Sequence, residues 1–383
     1  MKSFFKGMGI GLAIGLCFIA ATSFSIMLRN SSADNQDELI TEEEPGSKDT
    51  SSEDSRTAKD EYPEETEAPL PAEPEPQPVT ISFAGDVQFS DAYLTAYDQH
   101  GIAALADEEM LRLMQESDLF LLNEEFPFSL RGEPMADKQY TFRTDPKYVQ
   151  IFQDLGTDIV TVANNHALDY GKDAFIDTLD TLKYADIACI GGGRDIDEAS
   201  APAVRTIEGQ TFAFFGATRV SPSYDWYAAS GQPGLFQTYD PAKLNEAITA
   251  ANETYDHVIV FVHWGIERND IPEEYQRALA KGYIDAGADL IVGCHPHVLQ
   301  GFEYYNGVPI VYSLGNYLFG SRTGETLLLQ AVFSPEGTLD IRLVPCQRRN
   351  GILSRIEEPA SLNEYLTDIS FNAKVSGDGL LTR

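Results

Sequence analysis

The alternation of apolar and mixed segments predicts successive strands and helices from about residue 79 onward. Eight short apolar runs predict buried strands, at residues 79–83, 118–122, 158–162, 186–190, 211–215, 257–262, 289–292 and 308–312. Five segments with apolar residues at helical spacing predict helices, at residues 107–115, 146–154, 172–184, 241–252 and 272–286. Two later runs, 327–333 and 339–344, are separated by a Pro-Glu-Gly turn and predict a hairpin. This pattern is typical of an α/β fold.

Polar side chains follow six of the predicted strands. In chain order they are Asp86; Asn123 and Glu125; Asn164, Asn165 and His166; His263; His295 and His297; and Asn316. Ligands of open α/β sheets bind at the carboxyl ends of the strands, so these side chains form a candidate site. For one turn alone, Asn164 and Asn165 can equally serve to shape the turn and cap the next helix. The recurrence of the pattern at successive strand ends favours a functional site.

The residue types at these strand ends indicate a metal site. Four of the six histidines of the chain are among them, together with two acids. Neutral imidazole and carboxylate suit Zn, Mn or Fe. Because Pro296 biases the preceding residue toward extended backbone, we expect His295 and His297 to point to one side. That spacing would serve one divalent ion or two neighbouring ions.

Composition narrows the class of partner. With 383 residues, 43% of them hydrophobic, the chain can bury a sizeable core. Its net charge of −33 excludes nucleic acid as a partner, because phosphate contacts need clustered Lys and Arg. The four cysteines have no paired short spacing, so neither a zinc finger nor a disulfide framework is indicated.

The N-terminal part predicts a membrane tether. An apolar stretch, 7–28, follows Lys2 and Lys6, so residues 1–30 predict a transmembrane anchor with the rest of the chain outside the cell. Cleavage of a signal peptide near Ala21 is the less favoured alternative. Residues 31–78 contain 16 Asp and Glu against 3 Lys and Arg and are rich in Pro, Ser and Thr, which predicts a disordered linker. Residues 79–383 are predicted to form the folded domain. The anchor is expected to hold this domain at the cell membrane, on its extracellular side.

Six motifs resemble the CapA family of capsule and poly-γ-glutamate biosynthesis proteins. They are Gly85-Asp86; Asn123-x-Glu125; the stretch 163–171, which reads Ala-Asn-Asn-His-Ala-Leu-Asp-Tyr-Gly; His263-Trp264-Gly265-x-Glu267; Gly293-x-His295-Pro296-His297; and Ser313-Leu314-Gly315-Asn316. The resemblance covers nearly all of residues 79 to about 320. It implies a calcineurin-like metallophosphoesterase fold, in which two packed mixed sheets are flanked by helices.

The resemblance also implies roles for individual residues. It implies that the metal ligands are Asp86, Glu125, Asn165, His263, His295 and His297. His166 matches a catalytic or substrate-binding histidine, and Asp169 is placed to orient it. The superfamily has Asp-x-His in its first motif, whereas this chain has Gln88 at the third position. One metal position therefore lacks an imidazole, which leaves open a weaker second ion or a single ion.

Candidate substrate contacts and functions follow from the same residues. We predict substrate contacts at Asn123, Asn164, Trp264, Glu267 and Asn316, with core packing as the favoured alternative for Trp264. Arg143, Arg219 and Arg268 are candidates to meet an anionic substrate, and the sequence does not choose among them. The favoured function is synthesis, export or anchoring of poly-γ-glutamate or a related capsule polymer, with membrane proteins of polymer synthesis as partners. The alternatives are a metal-dependent hydrolase of a phosphoester or amide, acting on a polymer or small molecule, and a non-catalytic binding module.

Overall fold

The computed structural model describes residues 76–320 and 323–383. The predicted anchor and all but the last residues of the predicted linker lie outside this part of the chain. Within it, none of the helices combines the length and the apolar character needed to cross a bilayer. The first described strand begins at Val79.

The described residues form strands and helices in alternation. The strands are β1 (Val79–Gln88), β2 (Leu119–Glu124), β3 (Ile159–Thr161), β4 (Ala188–Ile190), β5 (Gly192–Gly193), β6 (Ala203–Ile207), β7 (Gln210–Thr218), β8 (Gly234–Leu235), β9 (His257–His263), β10 (Leu290–Cys294), β11 (Leu299–Tyr305), β12 (Val308–Leu314), β13 (Asn316–Phe319), β14 (Gly324–Phe333), β15 (Leu339–Arg349), β16 (Ile352–Arg355), β17 (Lys374–Val375) and β18 (Leu381–Thr382). The α-helices are α1 (Asp91–His100), α2 (Glu108–Gln115), α3 (Val149–Leu155), α4 (Lys172–Tyr184), α5 (Ile196–Ser200), α6 (Ala242–Asn252), α7 (Glu274–Asp285) and α8 (Ala360–Asp368). Short 3₁₀ helices cover Ile102–Ala104, Pro146–Tyr148 and Tyr224–Trp226.

Two mixed sheets carry the fold. The first sheet has the order β16-β15-β14-β1-β2-β3-β4, and β13 pairs with the second half of β1. The second sheet has the order β11-β12-β10-β9-β7-β6. In the first sheet β1, β2, β3 and β4 run parallel, and in the second β7, β9, β10 and β12 do so. Each sheet therefore brings several carboxyl ends to one edge.

Apolar side chains pack in three layers between and behind the sheets. One cluster fills the space between the sheets, where the rings of Phe83 and Phe261 meet edge to face at 6.1 Å. A second cluster packs the first sheet against α2, α3 and α4, and a third packs the second sheet against α6 and α7. This confirms the predicted α/β class with two packed mixed sheets flanked by helices.

The predicted helix at 172–184 is confirmed at both ends, and its buried face includes Phe175, Leu179 and Leu182. Several strands run further than their apolar cores, because the polar residues after each core continue the ladder. Thus Asp86, Asn123 and His263 lie within the last residues of β1, β2 and β9 rather than in the turns after them. The apolar pattern missed α1, α5 and α8, the seven-residue strand β11, and the shorter strands β5, β6, β8, β13, β16, β17 and β18.

Gly85 allows β1 to approach the turn before β13. A Cβ atom at this position would lie 1.9 Å from the carbonyl oxygen of Gly315, a distance that only glycine can accommodate. Asp86 then donates its backbone N–H to that carbonyl at 3.0 Å. The ladder of β1 shifts register between Asp86 and Val87, so this contact sets the position from which the Asp86 side chain leaves the strand.

Candidate metal centre

The carboxyl ends of the two sheets meet around Asp86. In the first sheet Asp86 pairs with Asn123 on one side and Asn316 on the other. In the second sheet Cys294 pairs with His263. The backbone N–H of His295 contacts the Asp86 carboxylate at 3.3 Å, and Asn123 Nδ2 lies 3.4 Å from His263 Nδ1. The strand ends that the sequence singles out therefore converge on one buried site.

Six side chains place metal-binding atoms close together. Three overlapping groups have donor atoms within 4.8 Å of one another: Asp86, His263 and Cys294; Glu125, His263 and His295; and Asp86, Glu125 and His297. His297 Nδ1 lies 3.1 Å from Asp86 Oδ2, and His263 Nε2 lies 3.7 Å from Glu125 Oε1. Because Asp86, Glu125 and His263 each belong to two groups, the donors suit two neighbouring ions as well as one.

Unpartnered atoms in this cluster fit a cation. Both carboxylate oxygens of Glu125 and Nδ1 of His295 are buried and have no hydrogen-bond partner among the described residues. A buried polar atom without a partner costs free energy, and a bound divalent ion would satisfy all three. The donor set of carboxylates and imidazoles is also the set that Zn, Mn and Fe bind. The residues therefore fit the predicted metal.

The protonation of the imidazoles differs across the cluster. Burial, followed by the neighbouring His297, lowers the pKa of His295 to about 3, and burial holds the pKa of His263 well below its usual range. Burial also lowers the pKa of His297, but the carboxylates of Glu125 and Asp86 outweigh it and raise that pKa to about 10. Burial and the nearby Asp86 raise the pKa of Glu125 well above its ordinary value. These shifts favour neutral imidazoles at His295 and His263, the form that binds metal, and a protonated imidazole at His297.

The backbone of the His-Pro-His segment corrects the sequence prediction. His295 has a φ of 99° and His297 a φ of 59°, so neither residue is extended. Proline at 296 disfavours the helical region for His295, but it does not select extended backbone over this rarer conformation. The positive φ angles turn the chain sharply after β10, and both rings still face the cluster, with their centroids 5.9 Å apart.

Asn123 and Asn164 are not positioned to contact substrate, contrary to the prediction. Both are fully buried. Asn123 donates to Asp86 Oδ1 at 2.8 Å, and Asn164 Nδ2 donates to Asn123 Oδ1 and to the carbonyl of Glu124. Asn164 Oδ1 accepts from the backbone N–H of His166 at 3.0 Å. These amides lie behind the cluster, where they orient Asp86 and the turn that carries His166.

Asn165 and Asn316 contact the histidines directly. Asn165 Oδ1 lies 2.8 Å from His263 Nε2, so Asn165 lies beside the donor cluster. Asn316 Oδ1 lies 2.8 Å from His297 Nδ1. Asn316, predicted to contact substrate, is therefore placed to orient His297 as well.

His166 and Asp169 form a buried pair at the edge of the cluster. His166 Nδ1 lies 2.7 Å from Asp169 Oδ2, and the Asp169 side chain is fully buried. Burial lowers the pKa of His166, although the Asp169 carboxylate acts in the opposite direction. The geometry agrees with the predicted role of Asp169 in orienting His166.

Two residues at this pair were not predicted, Lys138 and Phe142. The Lys138 ammonium contacts the Asn165 carbonyl and Asp169 Oδ1, and lies 3.1 Å from His166 Nδ1. Phe142 stacks on the His166 ring at 4.2 Å and donates its backbone N–H to Asp169 Oδ2 at 2.7 Å. Both lie in a segment without helix or strand, so no periodic pattern marks them. Lys138 and Lys147 both lie between the strand-end motifs at 123–125 and 163–171, so the sequence did not single out Lys138.

Trp264 is buried in the core, whereas Glu267 is exposed. Trp264 is fully buried and donates Nε1–H to the Tyr312 carbonyl at 3.0 Å, so its packing role is correct and its predicted substrate contact is wrong. Trp264 follows the end of β9, and its ring belongs to the apolar cluster that packs the second sheet against α6 and α7. Glu267 is exposed, and its charge acts on Glu125, His297 and Lys138, which places it at the mouth of the site.

Gln88 and Cys294 contribute differently to the cluster. Gln88 Oε1 accepts from the backbone N–H of Gly320 at 3.3 Å, so this side chain faces β13 and not the donors. Cys294 ends β10, and its Sγ lies 3.3 Å from His263 Nδ1. Burial raises the pKa of the Cys294 thiol well above its usual range, which favours the protonated form of this buried residue.

Comparisons with known proteins identify the family to which this chain is similar. A family model described as bacterial capsule synthesis protein PGA_cap matches residues 80–321. The PGA biosynthesis protein CapA of Bacillus subtilis (strain 168) is 31% identical over 314 residues, which cover 79% of this chain and 82% of that protein. The capsule biosynthesis protein CapA of Bacillus anthracis is 31% identical over 297 residues, 75% of this chain and 72% of that protein. A probable polyglutamine synthesis accessory protein of Mycobacterium tuberculosis (strain CDC 1551 / Oshkosh) is 30% identical over 209 residues, 52% of this chain and 55% of that protein.

Proposed function

Because the chain belongs to the PGA_cap family of bacterial capsule synthesis proteins, we propose that it acts in the biosynthesis of a poly-glutamate capsule polymer. The family match bears out the resemblance to CapA proteins in the sequence. The names of the relatives, which refer to capsule, PGA and polyglutamine synthesis, support the polymer class. Making, exporting and anchoring the polymer remain alternative steps for this role.

The observation that carries a metal-dependent role is the unpartnered Glu125 carboxylate within the donor cluster. A buried carboxylate without a hydrogen-bond partner costs free energy, and a cation held by it and the three neighbouring histidines would offset that cost. We therefore propose that Asp86, Glu125, Asn165, His263, His295 and His297 hold one or two divalent ions. A bound ion would polarise a carbonyl or phosphoryl oxygen and increase the acidity of a bound water.

The residues next to the cluster support a hydrolase as the chemical activity. With Nδ1–H donated to Asp169, neutral His166 presents an unprotonated Nε2 as its remaining nitrogen. His166 therefore accepts a proton first and returns it to the leaving group afterwards. Lys138 holds the carbonyl of Asn165 and the Asp169 carboxylate in place, and Glu267 is the acid at the mouth. The substrate bond would be an amide of the polymer or a phosphoester of a precursor.

We also propose that the protein acts at the outer face of the cell membrane. The apolar stretch 7–28 and the acidic segment 31–78 support a single-pass anchor with the domain outside the cell. Membrane proteins that synthesise or export the polymer are then the expected partners. A non-catalytic binding module is the remaining alternative.

Complementation tests the proposal. We would express the full-length chain in a Bacillus subtilis strain that lacks its own CapA relative and measure secreted poly-γ-glutamate. The wild-type chain and the Glu124→Gln variant should restore polymer, and Glu125→Gln should not. The two acids are adjacent and both fully buried, but only Glu125 lies in the donor cluster. Equal polymer from Glu125→Gln and wild type would overturn the metal-dependent role, and no polymer from an expressed wild-type chain would overturn the polymer role.

A further inference from the structure

We propose that Arg143 and Arg219 bind carboxylates of an extended polyanionic chain on the two halves of the metal centre. Arg143 belongs to the half built on the first sheet, and Arg219 to the half built on the second. The inference rests on the proposed role in poly-glutamate biosynthesis and names the recognition elements of the same site. It also makes a choice among the three arginines that the sequence leaves open.

Arg143 is held beside the His166 turn. It follows Phe142, whose ring stacks on His166. Its guanidinium carbon lies 4.1 Å from the ring centre of Tyr170, the residue after Asp169. Its Nη1 is 3.2 Å from the Arg131 carbonyl and 3.4 Å from the Gly132 carbonyl. Stacking and carbonyl bonds thus fix the guanidinium while leaving its charge uncompensated.

Arg219 is held in the same manner beside His263. Its backbone N–H donates to the His263 carbonyl at 2.8 Å. Its guanidinium lies over two rings, 4.7 Å from Tyr239 and 4.9 Å from Tyr275, and its Nη1 donates to the Tyr239 carbonyl at 2.9 Å. Tyr275 in turn accepts the Gly265 N–H at 2.7 Å, which ties this cradle to the loop after His263.

The environment of both arginines suits an external carboxylate. In residues 76–320 and 323–383, neither Arg143 nor Arg219 has a carboxylate within 4.0 Å. Arg143 is exposed and Arg219 is half-buried, so both can be reached from solvent. Acids outnumber bases 60 to 27 in the whole chain, so an acidic partner within the chain would be common for an arginine. Among the described residues these two guanidinium groups contact rings and carbonyls and no acid, so each remains able to bind an external anion. Arg268, by contrast, is exposed with a φ of 64°, and within the described part of the chain it has no aromatic ring stacked on it.

The chemistry of the substrate follows from this arrangement. A planar guanidinium binds a carboxylate through two parallel hydrogen bonds, and stacking on a ring reduces the entropy lost on binding. A glutamate polymer carries a carboxylate on every residue, so one chain can engage both arginines at once. Simultaneous engagement multiplies the two contributions to affinity. The site would therefore select a chain of repeated carboxylates over a small monoacid.

Polymer binding tests the assignment. Fluorescence anisotropy with labelled poly-γ-glutamate would be measured on the purified full-length chain in chelator, so that turnover does not intervene. Arg143→Gln and Arg219→Gln should each raise Kd about tenfold, and the double variant should raise it further. Arg112→Gln is the matched control, because Arg112 is an exposed arginine on α2, at the amino end of β2. Arg143→Lys and Arg219→Lys should give intermediate values, since they keep the charge and lose the planar fork.

The outcomes separate this inference from the proposed function. If wild type binds the polymer and both Gln variants match Arg112→Gln, the arginine assignment is overturned and the polymer role stands. If wild type does not bind the polymer, the polymer role is overturned as well. Poly-γ-glutamate with esterified carboxylates should not bind, and equal binding of the charged and esterified polymers would also overturn carboxylate recognition.

Discussion

Glu124 and Glu125 are consecutive, fully buried acids whose carboxylate oxygens all lack a hydrogen-bond partner among the described residues, yet only Glu125 lies in the donor cluster. Glu124 ends β2 with its side chain on the opposite side from Asn123, and Glu125 follows directly after the strand. The two residues therefore face different surroundings. Glu125 lies among the candidate metal ligands, and Glu124 is a buried acid outside that set. This difference makes the pair a built-in control for the metal centre.

Metal content should depend on Glu125 and not on Glu124. Glu125→Gln should lose most bound metal and the stability that metal adds, about 2.7 kcal/mol when free metal is 100 times Kd. For a domain of this size that is about 4 °C in Tm. Elemental analysis and thermal unfolding with and without chelator measure both quantities. Glu124→Gln should keep wild-type metal and the wild-type response to chelator. If chelator leaves the Tm of wild type unchanged, the metal centre is wrong.

Because Glu124 is buried, the free energy of unfolding should decrease as pH rises. Burial raises its pKa well above 4.5, so between pH 4.5 and the raised value the folded state holds a proton that the unfolded state has lost. The stabilisation linked to this proton is complete below pH 4.5 and is lost as pH increases. Glu124→Leu should therefore add about 1–3 kcal/mol to the free energy of unfolding at pH 8 and less at pH 5. Urea unfolding at both pH values measures this, and an equal gain at both would contradict the assignment.

Metal binding should release at least one proton. At pH 7 the metal-free protein holds His297 protonated, with a pKa of about 10, and a ligand imidazole must be neutral. Apparent affinity should therefore weaken about tenfold for each unit that pH falls between 8 and 6. Calorimetry in buffers with different heats of ionisation counts the protons. His257→Gln, which changes a histidine away from the cluster, should leave the count unchanged. A pH-independent affinity would mean that His297 is not a ligand.

His166 should matter for turnover and not for metal. If it transfers protons, His166→Asn should reduce hydrolysis of bis(p-nitrophenyl) phosphate by about 10²–10⁴-fold while metal content stays at the wild-type level. His100→Asn changes a histidine at the exposed end of α1 and should have no effect. Loss of metal from His166→Asn would instead assign His166 to the metal ligands.

The anchor makes a separate prediction for intact cells. Protease added outside should cut within residues 31–78 and release a soluble fragment that contains the domain, because that segment is acidic and rich in Pro, Ser and Thr. Immunoblotting of the medium and the cell pellet would show this. Protection of the domain until the cells are lysed would show that the predicted topology is wrong.

The sequence alone was sufficient to predict the candidate metal ligands and the class of fold. Strand cores are marked by local apolar runs, and the polar residues directly after them, such as Asp86 and His263, leave the strands at one edge. Since parallel strands share that edge, the site could be located without knowing any distance. The helix at 172–184 was equally visible, because its buried face repeats at the helical period.

Only the tertiary structure decided what each of these side chains does. Asn123 and Asn164 proved to be buried supports, Trp264 to be core, and the His295-Pro296-His297 backbone to turn through positive φ. Lys138 and Phe142 entered the site from a segment without periodicity. The physical reason is that a local pattern reports burial and chain direction, whereas contacts depend on pairings between distant segments. The bond between His297 and Asp86 joins residues 211 positions apart, and it forms because the two sheets pack face to face.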